Sequence, residues 1–178
     1  MRSLLVAAAL VAASAVPASA GTYLGLGIGT SASPSGGLTM ASSDGSHTGR
    51  LVLGTRFGRL SVEGAASRYG MFNATNPYEG TMAAAALKYS LPLGNNFEAY
   101  GRGGLERTWL TNDTGAKDMA GNGWLLGAGF EYRLNLGLTA ASLFVDYEHS
   151  DTSLSTDDMK FQRDEAIGMW TIGATVAI

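Results

Sequence analysis

FEAYGRGGLERTWL, residues 97–110, places Glu98, Arg102 and Glu106 in one alternate register and Phe97, Ala99, Leu105 and Trp109 in the other. Successive side chains of a β-strand point to opposite faces, so as a strand this segment is ionic on one side and apolar on the other. The alternation recurs along the chain. It predicts strands at 22–30, 47–57, 60–69, 81–91, 97–110, 123–134, 138–149 and 165–178, an even number separated alternately by short and long connections. The short ones, Gly58-Arg59, 92–96 and 135–137, carry turn chemistry. The long ones, 31–46, 70–80, 111–122 and 150–164, are polar.

Charge gathers on one face of these strands: Arg50, Arg56, Glu63, Lys88, Glu98, Arg102, Glu106, Glu131, Arg133, Asp146, Glu148 and Glu165 share a register. Leu51, Leu53, Val62, Leu87, Leu126, Phe130, Leu143, Val145 and Ile172 occupy the other. Period two alone does not say which face is inside. A soluble barrel would bury the apolar register, but those positions are diluted by Ala and Gly and include three Trp. Facing lipid, they need no specific partner. An Arg or Lys facing lipid at mid-membrane costs about 2–4 kcal/mol, which accounts for Arg56, Lys88 and Arg102 lying opposite. Segments of about ten residues, with short turns at one end and long loops at the other, are the layout of a transmembrane β-barrel. Phe57, Tyr89, Phe97 and Tyr132 near the short turns, with Trp109, Trp124 and Tyr147 near the long loops, supply two aromatic girdles.

Composition agrees. Only 15% of residues are charged, 46% are hydrophobic, and 25 are glycine, which suits turn-rich extended structure. A net charge of -3 supplies no basic stripe for nucleic acid, and the absence of cysteine excludes disulfides and thiolate metal sites. Arg2, the apolar run 4–13 and Ala18-Ser19-Ala20 read as a secretory signal peptide over 1–20. The mature chain, 21–178, then carries eleven basic against fifteen acidic residues. It reads as one barrel domain, with no apolar run long enough for a membrane helix.

This combination resembles the small outer-membrane barrels of the OmpA/OmpX type over the whole of 21–178. The resemblance implies a Gram-negative outer membrane, both termini in the periplasm, and a structural or surface-interaction scaffold displaying four loops. It also implies contact with lipopolysaccharide and passage through periplasmic chaperones and the barrel-assembly machinery. The family's C-terminal assembly signal is similar to Thr171, Gly173, Val176 and Ile178, although Ile178 replaces the usual terminal aromatic residue. No loop ligand is specified.

Within the lumen, Glu63, Lys88, Arg102 and Glu131 fall at comparable middle heights, and together with Arg56 they are expected to form an ionic plug. The competing expectation is a small porin-like channel lined by the same groups. Arg68 and Arg107 fall in the apolar register near the loop ends. There they can snorkel to the interface and meet lipopolysaccharide phosphates. A soluble periplasmic ligand carrier is a further alternative.

A lipid A-modifying barrel enzyme is the remaining one. Only His47 and His149 are available as bases. His149-Ser150-Asp151 lacks the His-x-Ser spacing of the lipid A deacylase barrels, and adjacent strand residues diverge. No catalytic, cofactor or metal residue is proposed. Asp113 with Asp118, and Asp157-Asp158, lack the ligand spacing of a dedicated calcium loop. Gly25, Gly27 and Gly29 are expected to make room for lumen side chains or to permit curvature.

Overall fold

The structure, a computed structural model, describes residues 21–30, 33–36, 47–71, 78–112, 118–135, 140–156 and 162–178. The leader 1–20, Asp113, Asp157, Asp158 and the turn residues Leu136 and Gly137 lie outside them. The strands are β1 (Gly21–Gly29), β2 (Ser33–Gly36), β3 (Thr48–Phe57), β4 (Leu60–Met71), β5 (Tyr78–Gly94), β6 (Phe97–Asn112), β7 (Met119–Asn135), β8 (Ala140–Thr156) and β9 (Gln162–Ala177). Neighbours pair antiparallel in chain order, and β9 pairs with both β1 and β2, so the sheet closes on itself.

The first predicted strand is divided in two. Gly29 faces Thr171 and Ser33 faces Gly168, so β1–β2 advances four residues while β9 advances three. One extra residue therefore interrupts a single stave, in the manner of a bulge. Thr30 anchors the break: its amide donates to the Trp170 carbonyl at 2.9 Å, and its carbonyl accepts from the Thr48 hydroxyl at 2.7 Å. Counted as staves, the barrel has eight.

Following paired residues around the cylinder from Leu24 through Leu53, Gly64, Ala85, Leu105, Trp124, Asp151 and Ala166 leads to Ser35. That is eleven residues farther along the starting stave, counted from 24 to 35. Such stagger requires strands tilted by about 35–45°, which leaves an interior that side chains can fill. At the short-turn end, Asn95 and Asn96 both have positive φ, 51° and 67°, the conformation of a tight primed hairpin turn. Asn tolerates that conformation well.

The staves outrun their predicted ends. Residues 111–112, 119–122, 150–156 and 162–164, expected as loop, continue β6, β7, β8 and β9. About 9–11 tilted residues cross a bilayer, whereas β5 to β9 have 16 or 17 each. The surplus projects at the long-loop end, and its faces show this. In the crossing part Leu105 is 72% and Ile172 61% exposed on the outside, while Arg102 and Glu131 are each 6% exposed inside. Farther out, Thr81, Asn122, Ser153 and Asp164 face outward. Tyr69, Met82, Leu110, Leu154, Ile167 and Met169 cluster inside, with Met119 against them. The polar lumen expected from the sequence is thus joined, beyond the membrane-crossing part, by an apolar cluster, with Thr152, Thr156 and Glu165 still buried beside it. There water bathes the outer wall and the hydrophobic effect turns the apolar side chains inward.

Candidate functional site: the charged lumen and its outer rim

Two ionic levels fill the described interior below the apolar cluster. At the short-turn mouth Arg56 binds Glu98 through two parallel hydrogen bonds of 2.8 and 3.0 Å, and Arg133 reaches the same carboxylate at 2.9 and 3.0 Å. Arg56 also donates to the Gly58 carbonyl, tying the mouth to the turn. Fork-to-fork Arg–carboxylate contacts of this kind are strong and geometrically specific.

Above this lies the central network. Lys88 Nζ sits 2.7 Å from Glu131 and 3.6 Å from Glu63, and 4.1 Å from the centroid of the Tyr100 ring. Arg102 stands directly opposite Lys88 in the β5–β6 register. Its guanidinium approaches Glu148 at 2.7 Å, Asp146 at 3.1 Å and Glu63 at 3.9 Å. The Arg102 Nη2 contacts with Glu148 and Asp146 are close ion pairs without aligned hydrogen bonds, and it is Nη1 that faces Glu63. Arg50 joins from β3, donating to Glu148 at 3.2 Å and lying 3.6 Å from Asp146. Two phenols complete the array: Tyr23 donates to Glu63 at 2.5 Å and Tyr100 to Asp146 at 2.8 Å. Glu106, higher on β6, accepts from the Thr152 hydroxyl.

The structure therefore brings Glu63, Lys88, Arg102 and Glu131 together, but not as a closed ring. Arg102 turns to Asp146 and Glu148, and Arg56 belongs to the separate mouth group. Alternation finds the face on which a residue lies; the stagger decides which rungs meet. Asp146, Glu148 and Arg50 share the charged register, and the structure adds them to the four expected residues. Tyr23 and Tyr100 carry no charge to mark them in a charge pattern, although Tyr100 alternates with Glu98 and Arg102.

Glycines make these placements possible. A Cβ on Gly54 would lie 2.4 Å from the Tyr23 ring, one on Gly129 2.8 Å from that of Tyr100, and one on Gly127 2.8 Å from Arg102 Nε. On β1, a Cβ at Gly27 would crowd Phe144 at 3.2 Å, a lumen side chain. Gly29 differs, because there the Trp170 carbonyl approaches to 2.3 Å and the backbones themselves are close.

The outer face carries the remaining residues. Phe97 packs on Tyr132 at 4.7 Å near the short turns, and Tyr147 on Trp170 at 5.2 Å nearer the loops. Arg68 points outward and is engaged by Glu79, its diagonal neighbour on β5. Arg107 donates to Asn122 Oδ1 at 3.2 Å and lies 5.5 Å from the Trp109 ring centroid. His149 lies inside β8, not at a loop, with its ring 5.9 Å from Trp124. Ser150 beside it is buried on the lumen side, so the two side chains diverge. On β9, Thr171 and Gly173 face inward while Val176 and Ile178 face outward, and the Ile178 amide donates to the Thr22 carbonyl at 2.9 Å. That segment forms the closing seam with β1.

A closed eight-stave barrel with an apolar belt and a charged interior is the architecture of a bacterial outer-membrane protein. Residues 3–175 match the family described as outer membrane protein beta-barrel domain, and the chain belongs to that family. It resides in the outer membrane. No curated protein matches the chain. Among solved structures, Neisserial surface protein A is similar with a TM-score of 0.71 at 17% identity, over 88% of this chain and 97% of that one. The attachment invasion locus protein Ail of Yersinia pestis gives 0.54 at 13% identity, over 89% and 97%. Its complex with the heparin analogue sucrose octasulfate gives 0.56 at 14% identity, over 89% and 97%. These likenesses are of fold.

Proposed function

We propose that the protein is a membrane-stabilising, surface-interacting scaffold whose lumen is plugged by its own side chains. The observation that carries this reading is the buried cross-bracing of β3, β4, β5, β6, β7 and β8 by Arg50, Glu63, Lys88, Arg102, Glu131, Asp146 and Glu148. Charges in an interior of low dielectric are tolerated when paired and hydrogen-bonded, and each pair then ties together strands distant in sequence. The part of the barrel that projects beyond the membrane, its collar, carries the chain toward the connections at the long-loop end, and loops borne on such a support are where binding specificity resides.

The biogenesis that accompanies this reading is removal of 1–20 after Ala20, chaperone escort, and recognition of Thr171, Gly173, Val176 and Ile178 by the assembly machinery. Arg107 and, less freely, Arg68 contact outer-leaflet lipopolysaccharide. Glu79 competes with phosphate for Arg68, whereas neither Asn122 nor Trp109 brings a negative charge to Arg107. Single-channel recording in planar bilayers tests the plug. Wild-type protein is expected to be silent and Arg102→Ala to show intermittent conductance; sustained wild-type conductance overturns the plug in favour of a small channel.

A further inference from the structure

In the middle of its lipid-facing side, β6 offers almost nothing: Ala99, Gly101 and Gly103 follow one another outward. Large residues rise on either side, Leu87, Tyr89 and Leu91 on β5 and Leu126 on β7, with Tyr147 beyond. They flank a shallow, open groove on the outer wall. A Cβ on Gly101 would meet only the Gly127 carbonyl oxygen, at 4.0 Å, so the floor is open there, while one on Gly103 would touch the Leu126 side chain at 3.2 Å, where the groove narrows. Two outward positions above Gly103, past Leu105, stands Arg107 at the level where the wall turns polar.

We propose that this groove seats one acyl chain of a lipid A molecule whose phosphate is held by Arg107. The inference rests on the lipopolysaccharide contact proposed for Arg107 and adds where the chain of that lipid runs. Gly101 and Arg107 are six residues apart, roughly 20 Å along a strand, or roughly 15 Å of depth after tilt. That is about half the ~30 Å hydrocarbon core, the reach of one leaflet's chains. Inside a bilayer the hydrophobic effect does not select among apolar partners, so seating depends on dispersion contact, which a concave floor increases. The guanidinium supplies charge-assisted hydrogen bonds to phosphate, and Asn122 orients it.

The test is native mass spectrometry of full-length mature protein extracted from phosphatidylethanolamine bilayers doped with equal lipid A and phosphatidylglycerol. Wild-type protein is expected to retain one lipid A at least fivefold over phosphatidylglycerol, and Arg107→Ala, Gly101→Leu and Gly103→Leu each to reduce retention at least fivefold. Heat-modifiable gel mobility identifies folded variants, and either glycine variant suffices if the other does not fold. Loss in Arg107→Ala with full retention in a folded glycine variant overturns the groove while sparing the Arg107 contact. Retention in all variants overturns both. Equal retention of phosphatidylglycerol, or a dimer that buries the groove, overturns the assignment to lipid A.

Discussion

Val145 and Ser153 lie eight residues apart on β8, point to the same side of the sheet, and meet opposite surroundings. Val145 belongs to the apolar belt, and its inward neighbour Asp146 is 1% exposed within the ionic network. Ser153 instead donates a 2.6 Å hydrogen bond to Asp164 on the outer wall, and its inward neighbour Leu154 is 1% exposed in the apolar cluster. One strand, with one unbroken two-residue period, is thus inside-out below and conventional above. Pleat fixes only that the faces differ; the solvent outside fixes which of them is apolar.

The comparison breaks most readily inside the lumen. Arg102→Ala removes the cation shared by Asp146, Glu148 and Glu63 and leaves buried carboxylates short of a partner, which costs about 3–5 kcal/mol. Urea unfolding in lipid vesicles should show that loss, and a change below about 1 kcal/mol would mean that the network is solvated rather than structural. In the collar the corresponding change is Leu154→Ala, which opens a cavity among Tyr69, Leu110 and Ile167 at a cost of about 2–5 kcal/mol. Buried pairs are screened little by salt, so the two deletions are told apart by conservative replacement: Arg102→Lys keeps a cation and should recover part of the first loss, and Leu154→Met keeps the volume and should recover most of the second. Recovery in neither conservative variant, measured in the same vesicles, would erase the distinction.

How far the chain could be read follows from the same physics. The eight staves, the closed barrel and the lipid-facing belt were legible because Leu105, Leu126 and Ile172 oppose Arg102, Glu131 and Thr171 at strict alternation. The collar was not. Tyr69, Met82 and Leu154 fall in the register that carries charge lower down, so the pattern changes sign where the strand leaves the membrane, and polar residues such as Ser153 and Asn122 imitate loop. The break between β1 and β2 was hidden because one extra residue leaves no mark on composition. Within the lumen, membership of the charged face was legible, but partner choice was not, since Arg102 meets β8 across the interior and not merely its ladder neighbours.

Exchanging the environments sharpens the comparison on the outer wall. Val145→Arg sets a guanidinium against mid-membrane hydrocarbon and is expected to cost about 2–4 kcal/mol. Ser153→Arg, on the same strand and face, is expected to fall within about 0.5 kcal/mol of wild type, as for an ordinary surface change. Equal penalties from vesicle unfolding would place both positions in one medium and remove the collar.

The smallest expected effect belongs to the collar's surface. Arg68 holds the Glu79 carboxyl below its usual range, first by a direct hydrogen bond and then, against a slight opposing burial, by charge attraction. A carboxyl depressed on folding contributes stability above its unfolded pKa, about 4.3, and that contribution disappears as the pH falls through the lower folded value. Both groups are exposed, so water and salt screen the pair and the gain is slight. Site-resolved NMR titration of the Glu79 carboxyl is the direct measurement. Arg68→Ala should move its midpoint upward toward the ordinary value, while Arg107→Ala, farther around the wall, should leave it in place. If both variants shift Glu79 equally, the influence is the general field of the rim and not the diagonal contact between β4 and β5. Arg68 would then be as available to phosphate as Arg107.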